Sequence, residues 1–187
     1  MFRQSNAYAM QYGLYLGLYW IVGMVALANG LSSYLAGYLY LFILIGSPFL
    51  GCFLTKKFRN NVADDYKVTY FRGLSFSFLM YLYGFIILTM ATYLYFEFID
   101  RGQFIEANIA LMQRPEIKEV FESPEIKSQI DEALAQSNVG SIEELLRMLT
   151  PKVLAANTLD VGIFLSLIMA FPTALVMIIK PKKSITE

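Results

Sequence analysis

The sequence predicts an all-α membrane protein: a bundle of four transmembrane helices with a small extracytoplasmic helical insert between the third and fourth spans. Three observations carry this. Hydrophobic residues make up 57% of the chain and charged residues only 16%, against about 25% charged in soluble domains. Charge is absent from residues 4–55, 73–96 and 161–179. Residues 97–160, in contrast, carry twelve of the fifteen acidic side chains. About 20 apolar residues cross a hydrocarbon core roughly 30 Å thick. The first uncharged tract therefore holds two spans, and the others one each.

Span 1 is placed at 7–28. Asn29-Gly30, continued by Leu31-Ser32-Ser33, is a turn signal, and span 2 follows at 34–54. Spans 3 and 4 are placed at 73–96 and 161–179. All are helical, because lipid offers no partners to open backbone groups; the alternation of barrel strands is not visible. Ala26-Leu27-Ala28 resembles a signal-cleavage site, but the apolar stretch before it exceeds the usual 7–15-residue core, so it is read as a retained span. The whole chain, 1–187, is expected to form a single membrane domain.

Basic residues set the orientation. Arg3, the 55–72 loop (Lys56, Lys57, Arg59, Lys67, Arg72) and the tail (Lys180, Lys182, Lys183) fall on one side, and the 29–33 turn holds no basic residue. Both termini are expected in the cytoplasm and the acidic insert outside, in the periplasm of a two-membrane bacterium. Tyr34, Tyr38 and Tyr40 near the outer turn, and Tyr93, Tyr95, Phe96 and Phe98 at the outer end of span 3, suit an interfacial aromatic belt.

Within 97–160, apolar residues recur at helical spacing in four stripes: Ile105/Ile109/Met112, Ile117/Val120/Phe121, Ile126/Ile130/Ala133/Leu134 and Ile142/Leu145/Leu146/Leu149. Ser123-Pro124 and Thr150-Pro151 are cap-plus-proline starts, and Ser141-Ile-Glu-Glu144 is a capping box. Span 4 is thus expected to be the inner part of a helix that begins near Pro151. The insert is expected to cap the bundle. The alternative, helices lying flat on lipid, suits a basic polar face, and this segment is acidic.

Gly162, Ser166, Ala170 and Ala174 recur every four residues in span 4, and Gly13 and Gly17 make a GxxxG pair in span 1. Such small residues mark helix packing within one chain, or a dimer surface. Pro48 and Pro172 should kink spans 2 and 4. Tyr8, Tyr12, Tyr15 and Tyr19 stripe one face of span 1; packing explains them, and a ligand cleft is the alternative. Gln11 is the main strongly polar side chain at depth.

Little chemistry is visible. Histidine is absent and Cys52 is alone, so no cysteine–histidine metal cluster is expected, nor any cofactor. No nucleotide-binding or nucleophile-elbow motif occurs. Lys56-Lys57-Phe58-Arg59 is explained by positive-inside anchoring, without nucleic acid. A candidate polar site at the outer span ends comprises Glu97, Asp100 and Arg101 after span 3 and Asp160 before span 4. The competing reading is charges that mark where lipid ends.

Taken in order, Tyr8–Gly13, Lys57-Phe58-Arg59, the 69–78 lead into span 3, the 93–100 close of that span, Met148-Leu-Thr-Pro151 and a lysine-rich end resemble the domain of unknown function 4199 membrane proteins, found mainly in Bacteroidetes. The resemblance covers nearly the full length and implies an integral inner-membrane protein. It carries over no catalytic or binding residue. The expected function is a non-enzymatic structural or interaction protein of the bacterial envelope, contacting a second copy or an envelope partner through the insert. A small transporter or channel subunit and an enzyme at the outer lipid surface are the alternatives.

Overall fold

Long uncharged tracts leave the backbone no reason to stop hydrogen-bonding to itself, and the helices overrun the expected spans. A computed structural model describes residues 2–30, 33–62, 69–121, 123–137 and 139–178. Helix α1 covers Phe2–Asn29 and α2 Tyr34–Val62. The Gly30 amide donates to Leu27 O at 3.0 Å in the intervening turn. Lys56, Lys57 and Arg59 therefore sit on the last turns of a helix rather than in a loop. Lys67 and the tail lysines lie outside the described residues. Helix α3, Tyr70–Leu94, starts on Thr69, whose hydroxyl oxygen accepts from the Arg72 amide. It runs into a π-helical turn, Tyr95–Asp100. Arg101 and Gly102, with φ of 49° and 91°, then reverse the chain.

Four short helices follow: α4 Gln103–Met112, α5 Pro115–Phe121, α6 Pro124–Ser137 and α7 Ile142–Arg147. They correspond to the four apolar stripes. The Ser141 hydroxyl caps α7 by accepting from the Glu144 amide at 3.2 Å. Ser123 holds the N-cap position before Pro124, its carbonyl accepting from the Lys127 amide at 2.9 Å, while its hydroxyl donates back to Val120 O at 2.7 Å. Helix α8, Pro151–Ala174, begins on the Thr150 cap and ends in a 3₁₀ turn, Leu175–Met177. The helical hydrogen bonding continues past Pro48 and Pro172. The described residues contain no strand, and four helices are long and apolar enough to cross a membrane, within 4–29, 34–61, 70–100 and 151–177.

Helix α3 is the centre of the bundle, with α1 packed parallel along one side and α8 antiparallel along the other. Small residues permit the close approach. A Cβ on Gly13 would lie 2.7 Å from Tyr83 Cβ, and one on Gly162 would lie 2.5 Å from Phe85 Cγ. Gly17 faces Gly84 O and Ile87. Ser166, Ala170 and Ala174 are buried on the same face of α8 as Gly162, so this stripe is spent within the chain. The half of the bundle that holds Lys56 and Arg59, the basic end, is filled. Phe58 and Phe76 stack at 3.8 Å, Tyr12 meets Phe76 edge-on, and Met80, Tyr81 and Met177 are buried beside them. Arg59, 4% exposed, donates to Val176 O at 3.0 Å, tying α2 to the carbonyl end of α8, where a cation suits the helix dipole.

The opposite, acidic end is looser. The insert is held by Phe104 against Phe96, the Arg147–Glu106 ion pair at 2.6 Å and Gln113 to Glu143 at 3.3 Å. Exposed ion pairs contribute up to about 1 kcal/mol; Ile109 and Val139 are buried apolar side chains of the insert.

Candidate functional site: a side-open cleft

Because α2 packs on α1 and touches α8 only lightly, a gap opens between α2 and α8 in the acidic-end half. Its volume is about 650 Å³ and it is open to one side, within the 300–1,000 Å³ range of ligand pockets. Trp20, Gly23 and Leu27 of α1 form the back with Phe85, Leu88 and Phe96 of α3. Ile43, Leu44 and Pro48 of α2 face Val161, Leu165 and Met169 of α8, and Phe104 of α4 covers the acidic end.

The wall is apolar because its polar groups are turned inward. The Trp20 indole N–H donates to Ser47 Oγ at 2.8 Å. Thr92 and Thr158 hydroxyls donate to Leu88 O and Leu154 O of their own helices, at 2.9 and 2.8 Å. Two lining groups keep free capacity among the described residues: the Tyr40 hydroxyl on α2 and the Asn157 amide on α8. Tyr40 stands toward the acidic end and Asn157 deeper along the slot, with Leu165, Met169 and Pro48 below them. The cleft thus offers a long hydrocarbon slot with hydrogen-bonding groups toward one end. No carboxylate, lysine or arginine lines it, and among the described residues no group of three potential metal ligands occurs.

None of the tyrosine stripe lines this cleft. Tyr12 is buried in the core, its hydroxyl accepting from Asn61 at 3.2 Å. Tyr19 donates to Ile43 O at 3.0 Å, Tyr8 packs on Phe58, and Tyr15 faces outward. Gln11 is exposed on the outer face of α1.

The four residues of the candidate polar site divide. Asp100 is buried, and its carboxylate accepts from the Gly102 and Phe104 amides at 3.1 Å. It caps the start of α4. Arg101 Nε donates to Phe98 O at 3.1 Å, and Glu97 is exposed. Asp160 is elsewhere. Gly162 against Phe85, Gly73 against Ala174 and the Tyr81–Thr173 hydroxyl pair at 3.0 Å fix the antiparallel register of α3 and α8. That register sets Asp160 level with Ile87, about 15 Å along the helix axis from Glu97. The reason is the early start of α8: Asp160 lies nine residues after Pro151. It is exposed, among apolar neighbours and inside the 151–177 candidate span.

The cleft was not legible in the sequence. Its residues are ordinary span residues, and only the spacing between α2 and α8 sets them apart. Comparison with curated proteins and with solved structures yielded no match. A family model described as "Protein of unknown function (DUF4199)" matches residues 11–178, covering most of α1, all of α2, α3 and α8, and the insert. The chain belongs to the DUF4199 family.

Proposed function

We infer that this chain is a single-unit, multi-pass protein of the bacterial inner membrane that holds a lipid acyl chain in the α2–α8 cleft and carries out no reaction of its own. The basic end and both termini lie in the cytoplasm, and the acidic insert faces outward. The observation that carries the reading is the cleft itself: about 650 Å³, apolar, open sideways, and lying alongside the spans rather than outside them. A ligand reaching it from the side arrives through lipid. Tyr40 stands toward the acidic end, where the ester region of an outward-leaflet lipid would lie, and Asn157 offers a second hydrogen-bonding group deeper along the slot.

The transporter reading gains nothing from the basic end, which Phe58, Phe76, Tyr81 and Met177 fill. The enzyme reading loses its geometry, since Asp160 is far from Glu97 and Asp100 is committed to capping. The partner reading of the insert keeps one favourable observation: Val120 and Met148, at 53% and 51% exposed, are apolar side chains open on its surface. An envelope protein or a second copy would cover them.

Proteoliposomes containing a phospholipid with a photoactivated diazirine on one acyl chain test the cleft. Labelling should concentrate on Leu44, Leu165 and Met169. Equal labelling of the outward α2 residues Phe42 and Phe49 would show ordinary lipid contact only.

A further inference from the structure

Gly37, near the start of α2, is a helix glycine that packing does not explain. At every other glycine inside the four long helices, a Cβ would stand within 3.0 Å of an atom of a neighbouring element. At Gly37 it would meet nothing closer than the Gly30 carbonyl oxygen, at 3.9 Å. Alanine would fit there and suit the helix better, since glycine in a helix interior costs stability. The missing side chain leaves open a recess of about 250 Å³. Leu27 and Gly30 at the end of α1, Gly37 and Tyr40 of α2, and Phe104 and Asn108 of α4 line it. Leu27, Tyr40 and Phe104 also line the slot, so recess and slot adjoin at these residues.

The recess is more polar than the slot, yet uncharged. Tyr40 brings a phenol hydroxyl and Asn108 a carboxamide, beside the backbone bared at two glycines. Asn108 donates one N–H to Phe104 O at 2.7 Å, which leaves its other N–H and its carbonyl oxygen. None of the six lining residues is charged, and residues 97–160 carry twelve acidic against six basic side chains. Buried charge needs a partner: a phosphate has no cation to meet among the lining residues, and an ammonium no carboxylate. A hydroxyl can be matched. Water fills about 30 Å³ in the liquid, so the recess has room for roughly eight heavy atoms, enough for glycerol.

We propose that the recess takes the uncharged, hydroxyl-bearing head of the lipid whose chain fills the slot, a diacylglycerol in preference to a phospholipid. The proposal rests on the lipid reading of the slot and adds the class of lipid. The free glycerol hydroxyl bonds to Asn108, and Tyr40, at the junction, donates to an ester carbonyl.

Acyl-brominated diacylglycerol, phosphatidylglycerol and phosphatidylethanolamine, titrated separately into the protein in micelles, test it through quenching of Trp20 in the slot wall. Diacylglycerol should saturate at a mole fraction roughly tenfold lower than either phospholipid, about what one well-made hydrogen bond gives. Gly37→Leu fills the recess, and Asn108→Leu removes the amide at similar volume. Each should bring diacylglycerol to the phospholipid level and leave the phospholipid curves unchanged, because neither residue lines the slot. Leucine suits a helix better than glycine or asparagine, so thermal unfolding that is unchanged or raised verifies both folds. Equal saturation by the three lipids, tighter binding of a phospholipid, or a diacylglycerol preference that survives both variants would overturn the proposal and leave the slot reading standing. No saturation with any lipid would overturn both.

Discussion

The Trp20 indole N–H donates to Ser47 Oγ at 2.8 Å, joining α1 to α2 at the wall of the cleft. Ser47→Ala strands a largely buried donor, which costs about 1–3 kcal/mol. Ser47→Thr, which keeps the hydroxyl, should recover part of that. Thermal unfolding in micelles reads the difference.

Gly162 admits α8 to within contact of the Phe85 ring on α3. Gly162→Leu forces the helices apart and should destabilise the bundle by about 1–3 kcal/mol or more, as overpacking does. Combining it with Phe85→Ala frees space at the same point. Unfolding of the two single variants and the double should give a favourable coupling, because the residues are in contact.

Asp100 acts here as a cap. Asp100→Ala removes the acceptor of the Gly102 and Phe104 amides and should cost about 0.5–2 kcal/mol, with Asp100→Asn costing less. Next to it, Arg101 holds a left-handed conformation that glycine adopts without the side-chain penalty. Arg101→Gly should therefore leave stability equal or raise it. Hydrogen exchange of α4 amides localises both effects: faster in Asp100→Ala, unchanged or slower in Arg101→Gly.

The orientation is tested by labelling. In a Cys52→Ser background, Glu143→Cys should react with an impermeant maleimide added outside spheroplasts, and Lys57→Cys should react only after lysis. The reverse pattern would invert the topology.

Hydropathy located the four long helices because lipid-crossing length is a property of one segment at a time. The caps at Ser141 and Thr150 were legible for the same reason: each is local. Depth was not. Asp160 reads as a boundary charge because it precedes an uncharged tract, yet its level depends on the pairing of Gly162 with Phe85, a contact between segments far apart in the chain. The π-helical turn after Leu94 has no sequence mark that separates it from α-helix. The cleft arises from where α2 stands relative to α8, and neither helix announces that in its composition.

Trp20 is the chain's one tryptophan and it lines the cleft, so its fluorescence reports lipid occupancy directly. Titrating phospholipid brominated on its acyl chains into the protein in micelles should quench Trp20 along a saturating curve. Filling the cleft with Leu44→Phe and Leu165→Phe together should remove the saturable part. Quenching that rises only in proportion to bulk brominated lipid, and is the same in the filled variant, would contradict a lipid-holding cleft.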